Sequence, residues 1–551
     1  MRSRRPPLGW KAILLALVLL MAGAAYGAYA VYAVYEANPA SGRPAGEVLL
    51  LCDTETAGVG RQLSALFEAA YPGCRVDLRE MPFAEAQALL VFAEADLGLY
   101  PESQDLGDLH YQRLFFHHRI AVSPLFGPCE SLTLSEAETL TGGTLSDPFG
   151  TTCFLTTWDQ MEPGMRLVPV EGVLPNPENL KNGTYPLTKP VGMYWGTPPR
   201  RGILDLFRSH PENAGNIEDF RELAASPESE KVYYPGMVSH ITLRAAGDIM
   251  LGRGVDTRMQ EFGWDYPLAQ VAQYLSEADL CIANLESPIG VKGQPLPGKM
   301  IWFRARPESA QGLVQAGIEA VNLANNHILD YDTENFLETM EILDNLGIRH
   351  FGGGRDIHES RKPLILESGG IQVAFLGYCE FAHPDLFWSV QYPRTFEAKE
   401  GVPGITPINK DYISEDIALA RDEADVVVAM FHWGAEDVHY PEPFWIDQVE
   451  IARFAVDAGA DLVLGTHPHA VQGIELYNGR YIAYSLGNFV MDQRREFQKE
   501  SLILTFTVTE RGISCLALDP CYITECQPSI LQGEARRDLL DRVAHYSRGL
   551  R

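Results

Sequence analysis

Through the second half of the chain, short apolar runs break off on polar residues of one restricted kind. The runs, each with its ending, are ITLRAAGDIM (Asp248), ADLCIANLESP (Glu286), IEAVNLANNH (Asn326, His327), ADVVVAMFHWG (His432), ADLVLGTHPH (His467, His469) and RYIAYSLGN (Asn488). An apolar run of four to eight residues closed by turn residues predicts a strand buried on both faces. In open α/β sheets, sites gather just beyond the carboxyl ends of the strands. Asp, Glu, Asn and His, each at the same place relative to a strand, predict one shared site with the ligand set of a divalent metal.

Helical patterns separate these runs. SAQGLVQAGI, TENFLETMEILDNLG and FWIDQVEIARFAVDAG carry apolar residues at helical spacing, and the last two end on Gly, as helices often do. Strand and helix alternate from Ile241 to about Thr524, so an α/β domain is expected over 241–526, with a charged surface helix in the tail 527–551. Pro and Gly interrupt near Tyr233 to Ser239, which sets a boundary behind a separate domain at 48–238. There VLLLCDTETAG, FAEADLGLY and HHRIAVSPLF read as strands, 59–70 as an amphipathic helix, and LTLSEAETLTGG as a capped helix start.

The N-terminus adds a membrane to this picture. Arg2, Arg4, Arg5 and Lys11 precede an uncharged stretch from Ala12 to Tyr35. As a helix that stretch spans about 36 Å, against a bilayer core of about 30 Å. Basic residues ahead of it place 1–11 in the cytoplasm and the bulk outside the cell. A single-pass anchor in the cell membrane is therefore expected at 12–35, followed by a Pro/Gly/Ala linker at 36–47. The alternative is a cleaved signal peptide, for which Ala28-Tyr29-Ala30 has the small-x-small form. The net charge of -29 removes nucleic acid from the candidate partners, because phosphate binding needs a basic face. Nine cysteines without a C-x-x-C pair exclude a zinc-ribbon or redox motif and leave at least one thiol unpaired.

Two motifs sharpen the chemistry. THPH sets His467 and His469 two apart, so on an extended segment both rings point the same way. In NNHILD, Asn326 offers a carbonyl oxygen to a metal while His327 faces the substrate, and Asp330 stands where it can hold that imidazole in one tautomer. Arg253, Arg304 and Arg306 lie close in sequence to these motifs and are candidate clamps for an anionic substrate. Glu436 and Asn488, in HWGAE and YSLGN, are candidate substrate contacts. FGGG, with its glycines at 352–354, lacks the P-loop Lys-Ser/Thr and is expected to be a tight turn that lets backbones approach.

GDIMLGR, NLESPI, NLANNHILDY, FGGG, HWGAE, GTHPHAVQGIE and YSLGNFV occur in one order between Ile241 and Met491. Together they resemble the poly-gamma-glutamate capsule synthesis proteins of the CapA type. That resemblance implies a metallophosphatase-like (calcineurin-like) layered α/β sandwich. It also implies metal ligands at Asp248, Glu286, Asn326, His432, His467 and His469, with His327 as the acid beside the leaving group. The cofactor would be one or two divalent ions such as Zn, Mn or Fe. Met250 departs from the D-x-H element, and Glu286 replaces its usual Asp, so one tight metal position and one weak one are expected.

RIAVSPLFG, SLTLSEAETLTGGTL and PNPENLKNGTYPLTKPVGMYW resemble the phosphate-type substrate-binding proteins of ABC transporters. A periplasmic-binding-protein-like α/β domain is thus implied at 48–238. Asp53-Thr54-Glu55-Thr56 stands where its first binding loop belongs, and two acids there would repel phosphate. The resemblances together imply metal-assisted hydrolysis or transfer, at a phosphoester or amide, during synthesis or export of an anionic surface polymer such as poly-gamma-glutamate. Two alternatives stand beside that reading. One is a non-catalytic anion-binding or scaffold protein assisting a membrane-bound polymer synthase; the other is a phosphodiesterase unrelated to capsule.

Overall fold

The computed structural model describes residues 45–550 other than 92–94, 96, 103–108, 128, 130, 144–151, 157–160, 197–212, 227–228, 230–239, 298, 300 and 383–395. The anchor expected at 12–35 lies outside the described residues. Among those described, no helix is long and apolar enough to cross a membrane. The chain divides into two compact units, Met1–Arg119 with Val170–Val238, and Ile120–Pro169 with Ser239–Arg551.

The second unit is built on two sheets. In the first, Arg349–Phe351, Ala320–Asn322, Leu280–Leu285 and His240–Ile249 run parallel, followed by the antiparallel strands Glu500–Thr509, Gly512–Thr524 and Gln527–Ile530. Asn488–Val490 also pairs with His240–Ile249. In the second, the order is Leu364–Ser368, Ile371–Cys379, Val426–His432, Leu462–Thr466, Arg480–Ala483 and Ile474–Tyr477, parallel through its centre.

Side-chain alternation stacks these sheets. Leu243, Ala245, Ile282, Phe375, Val428, Met430 and Leu464 fill the layer between them. Their neighbours Cys281, Ala283 and Leu285 turn to the outer face of the first sheet and meet Val255, Leu313 and Phe336 from the helices Arg253–Phe262, Ala310–Gln315 and Asp332–Asn345. Val427, Ala429 and Phe431 turn to the outer face of the second sheet, under Ile413, Ile417 and Ala452 of Lys410–Glu423 and Gln448–Asp457. The layers run helix, sheet, sheet, helix. Each buried Val, Leu, Ile or Phe contributes ~1.5–3 kcal/mol, and a one-residue slip would turn every one of them to the wrong layer.

One irregularity aims the site. His240–Ile249 carries an extra residue between Ala245 and Asp248, opposite Ile282–Asn284. Such a bulge bends a strand and redirects the side chains after it. Gly247 sits in it, where a Cβ would fall 2.0 Å from the Gly487 carbonyl oxygen, so no larger residue fits. Asn488 then lies in register beside Asp248.

The tail differs from its expected surface role. Gln527–Ile530 is a strand of the first sheet, and the helix Gly533–Ser547 buries Leu539 and Val543 between the two sheets. Its Ser547 hydroxyl accepts from the Ile474 N–H at 2.8 Å. Charges on the outer face of this helix masked its apolar stripe. The segment Ile120–Pro169 also clusters with this unit rather than with the rest of 48–238. Leu125 enters the inter-sheet core, and Gly164 N–H donates to the buried Tyr481 hydroxyl at 2.6 Å.

The first unit carries a five-stranded sheet in the order Gly73–Glu80, Ala45–Cys52, Leu97–Pro101, Thr188–Gly196, Leu109–His118. Its first three strands are parallel, and Thr188–Gly196 is antiparallel to both of its neighbours. The amphipathic helix expected at 59–70 spans Ala57–Ala70 and buries Leu63 and Phe67.

Candidate metal centre

Both parallel sheets direct their carboxyl ends to one place. Asp248, Glu286 and Asn326 sit at or just beyond the ends of His240–Ile249, Leu280–Leu285 and Ala320–Asn322. His432 closes Val426–His432, and His467 and His469 follow Leu462–Thr466. All six are buried. His432 Nε2 lies 2.9 Å from Asn326 Oδ1, 3.1 Å from His467 Nδ1 and 3.6 Å from Glu286 Oε1. His469 Nε2 lies 3.8 Å from Glu286 Oε1, and its Nδ1 lies 3.8 Å from Asp248 Oδ2. Ligand atoms of Glu286, His467 and His469 all fall within 4.8 Å of one another.

Neighbouring side chains hold these rings. His432 Nδ1 lies 3.0 Å from Thr466 Oγ1 and 3.3 Å from Asn284 Nδ2. Asn488 Nδ2 donates to the Gln498 carbonyl, so its Oδ1 accepts from His469 Nδ1 at 2.8 Å. Each ring turns its Nε2 toward Glu286. The Glu286 carboxylate is fully buried, and neither of its oxygens has a hydrogen-bond partner. Two imidazole nitrogens, an amide oxygen and an unpartnered carboxyl group thus face one another. Burying such a carboxylate unpaired costs several kcal/mol; a cation among these atoms removes that cost, so the residues present fit a divalent metal.

Two positions can be distinguished. Glu286, Asn326, His432 and His467 make one four-residue set. Asp248, Glu286 and His469 make a second set, and Met250, two residues past Asp248, is buried in the apolar core. Burial moves four of these groups toward neutrality. It raises Asp248 and, joined by the Asp248 charge, raises Glu286 well above the usual carboxylate range. It pushes His432 and His467 well below the ordinary imidazole value, with neighbouring histidines adding to the effect.

The THPH segment reaches this geometry differently from the extended form expected. His467 and His469 have φ of +98° and +56°, a region that non-glycine residues enter at a cost of ~1–3 kcal/mol. The left-handed turns bring the His467 N–H to Asp248 Oδ2 at 3.2 Å.

Beside this cluster lies a second network. His327 Nδ1 is 2.7 Å from Asp330 Oδ2, which also accepts the Phe303 N–H at 2.6 Å. With Nδ1–H donated to Asp330, His327 keeps Nε2 as its lone-pair nitrogen. Its ring stacks on Phe303 at 3.9 Å. Burial, outweighing Asp330 and helped by Lys299, lowers its pKa to about 4, so it rests as a neutral base rather than a ready acid. Lys299, buried, donates to the Asn326 carbonyl at 2.5 Å and to Asp330 Oδ1. Sequence reasoning missed Lys299, since a lysine in a Pro/Gly-rich loop reads as solvated.

It also missed the asparagines behind the ligands. Asn284 Nδ2 donates to Asp248 Oδ1 at 2.7 Å, while Asn284 Oδ1 accepts from Asn322 and Asn325 at 3.1 and 3.3 Å. A Cβ at Gly352 or Gly377 would fall 2.6 or 2.2 Å from Asn322 Oδ1, which is the close approach that FGGG provides. NLANN carried the signal: buried strand ends rarely keep amides without partners.

The other expected site residues separate. Arg253 is ion-paired to Asp492 at 3.2 Å and lies 5.4 Å from the centre of the Phe303 ring that stacks on His327. Arg306 instead pairs with Asp256 at 3.1 Å, and Arg304 covers the Tyr331 ring and donates to the Lys292 carbonyl. Asn488, expected at the substrate, holds His469. Glu436 is exposed and adds to the field that raises Glu286.

In the first unit, the side chain of Asp53 caps the turn that follows Ala45–Cys52. Its Oδ1 accepts the N–H and the hydroxyl of Thr56 at 2.8 and 2.9 Å, at the start of Ala57–Ala70. The adjacent cavity of ≈ 480 Å³ is lined by Asp53, Glu55 and Glu80.

A profile of the bacterial capsule synthesis protein family PGA_cap matches residues 242–493, which contain every ligand candidate. The chain is 31% identical over 295 residues to the capsule biosynthesis protein CapA of Bacillus anthracis, across 52% of this chain and 69% of that protein. It is 30% identical over 285 residues to the PGA biosynthesis protein CapA of Bacillus subtilis (strain 168), across 51% and 72%. Among solved structures, an ABC-type phosphate transport receptor from Vibrio cholerae matches 34% of this chain and 96% of its own at 13% identity. Its TM-score is 0.27, and at that score the likeness carries no argument.

Proposed function

This chain belongs to the bacterial capsule synthesis family that includes the CapA proteins, and from that premise we propose that it is a metal-dependent hydrolase or transferase of capsule biosynthesis. Its substrate is an anionic surface polymer of the poly-gamma-glutamate kind, attacked at an amide or phosphoester. The observation that carries this reading is the convergence of metal-ligating atoms of Asn326, His432 and His469 on a Glu286 carboxyl group that has no hydrogen-bond partner. Membership of the family names the polymer, and the acceptor cluster supports the metal.

Glu286, Asn326, His432 and His467 would hold one cation, and Asp248, Glu286 and His469 a weaker second. What a divalent cation supplies when bound is Lewis-acid polarisation of the scissile group and activation of water near neutral pH. The remaining work falls to the chain. Asp330 keeps His327 in the Nδ1–H tautomer, and the Phe303 stack keeps its ring in plane. Because His327 rests neutral, Nε2 must first take up a proton before giving it to the leaving group, a transfer worth ~10²–10⁴ in rate. Arg253, one ring away, is placed to bind a substrate carboxylate or phosphate. The metallophosphatase-like fold, the membrane anchor at 12–35 and an exported bulk belong to this proposal. So does a first unit that keeps a binding-protein fold while Asp53 fills its anion loop.

Met250 favours a second reading, a scaffold for a membrane polymer synthase that needs no turnover. One experiment separates them: elemental analysis of the purified chain together with a poly-gamma-glutamate and phosphoester hydrolysis screen. Asn326→Ala should lower metal content, while His327→Gln should keep the metal and abolish turnover. Stoichiometric metal with unimpaired function in His327→Gln would leave the scaffold; cleavage of phosphoesters alone would leave a phosphodiesterase unconnected with capsule.

A further inference from the structure

We propose that Asp437 is a positioning residue for His469, acting through a closed circuit of hydrogen bonds that fixes the imidazole for the cation. The inference rests on the metal reading above and adds to it a residue outside the ligand set. The circuit starts at His469, whose Nδ1 donates to Asn488 Oδ1 at 2.8 Å. Asn488 Nδ2 donates to the Gln498 carbonyl at 2.8 Å, and Gln498 Nε2 donates to Asp437 Oδ1 at 2.6 Å. The Asp437 N–H then donates at 2.8 Å to the carbonyl of Pro468, the residue before His469, which closes the circuit. His469, Asn488 and Gln498 are buried.

These residues meet only in the folded chain. Asp437 follows the strand Val426–His432, and Pro468 and His469 follow Leu462–Thr466. Asn488 opens Asn488–Val490, and Gln498 lies in the short turn of helix Glu496–Lys499. The segment beyond Asp437 is tied down as well, because the buried Gln472 donates from Nε2 to the Val438 and Tyr440 carbonyls, each at 3.1 Å. Asp437 and His469 both hold a left-handed φ, +66° and +56°, which persists where the surroundings over-determine it. The second carboxylate oxygen of Asp437 pairs with the exposed Arg495, so Oδ1 is the one that serves the circuit.

A buried amide needs an acceptor. Without Asp437 Oδ1, Gln498 Nε2 loses its partner, and the Gln498 carbonyl is no longer fixed against Asn488. Asn488 is then free to turn, and His469 Nδ1 loses the acceptor that keeps Nε2 toward Glu286. Outer partners of this kind are worth about 10–100-fold in metal affinity.

The test is a calorimetric titration with Zn²⁺ of the purified full chain, stripped beforehand with a chelator. His469→Gly first identifies the binding step that needs His469. Asp437→Gly keeps the left-handed φ and the N–H to Pro468 and removes only the carboxylate. Gln498→Met keeps the backbone carbonyl beside Asn488 and cuts the same link from its other end. Each should weaken the His469-dependent step by about 10–100-fold and leave unchanged any step that survives His469→Gly. The double variant should bind no more weakly than either single one, because both remove one link. Asp437→Asn keeps an Oδ1 acceptor and tolerates the same φ, and it should bind zinc like the parent, since the exposed Arg495 pair is worth little. Parent affinity in Asp437→Gly or Gln498→Met, a loss in Asp437→Asn equal to that in Asp437→Gly, or equal weakening of every step would overturn the role of Asp437 and leave the metal centre standing. A parent chain that binds no zinc would instead overturn the metal reading and this inference with it. The two variants act on opposite ends of one link, so either one that folds decides the matter.

Discussion

The Lys299 ammonium and the Asp330 carboxylate form a buried ion pair, in which Lys299 also donates to the Asn326 carbonyl and Asp330 also holds His327 Nδ1 and the Phe303 N–H. One side chain thus ties the residue proposed to hold metal to the residue proposed to carry a proton. Breaking a buried pair by removing one partner costs ~3–5 kcal/mol, because the remaining charge is stranded. Lys299→Met is therefore expected to lower unfolding stability by about that amount in denaturant titration, and to reduce metal content through Asn326. A variant as stable as the parent would mean that the pair adds no net stability.

Glu286→Gln separates metal binding from stability. Removing a buried charge without partners should leave the metal-free chain as stable as the parent or more so, by ~1–3 kcal/mol on the scale of a buried unsatisfied polar group. The same variant should lose most of its metal, since Glu286 belongs to both positions. Calorimetry with and without a chelator, beside elemental analysis, checks both halves; a parent-like metal content would remove Glu286 from the site.

His467→Gly and His469→Gly should each strip metal without unfolding the chain. Glycine adopts the left-handed φ at no steric cost, so each variant regains part of the ~1–3 kcal/mol held in those turns. The melting temperature of the metal-free protein should hold or rise while bound metal falls. A collapse in melting temperature would show that the rings act mainly as core packing.

Acid should destabilise the metal-free chain through His432 and His467. Burial holds both far below the ordinary value near 6.5. Below pH ~6.5 the unfolded chain takes up protons that the folded chain refuses, so stability falls as pH falls, by up to ~1.4 kcal/mol per pH unit per group. Asp248 and Glu286, with raised values, act in the opposite sense. The histidine share is read by difference: His467→Gln should show a shallower loss than the parent from pH 6.5 downward. Identical slopes would mean that His467 is protonated in the folded state.

Expressed whole, the protein should remain in membranes after carbonate or high-salt washing, with protease reaching its C-terminal part from outside only. The basis is the uncharged stretch from Ala12 to Tyr35 behind a basic tail. Recovery of a soluble chain beginning near Val31 would identify a cleaved signal instead.

The residue sequence by itself determined the strands and the chemistry at their ends. Asp248, Glu286, His432 and the THPH pair were legible because strands buried on both faces leave unbroken apolar runs, and any polar residue that ends one is conspicuous. Tertiary structure alone decided what depends on two distant segments meeting. The bulge at Gly247 exists because the Gly487 carbonyl passes within reach of its Cα. Lys299 is buried because Asp330 and the Asn326 carbonyl wait for it. Glu286 is without a partner because the imidazoles facing it arrive from the other sheet. The amphipathic stripe of Gly533–Ser547 became a core element only because the inter-sheet layer was open to Leu539 and Val543. Periodicity is written along the chain, residue by residue; proximity is a property of the packed layers, and a linear pattern does not hold it.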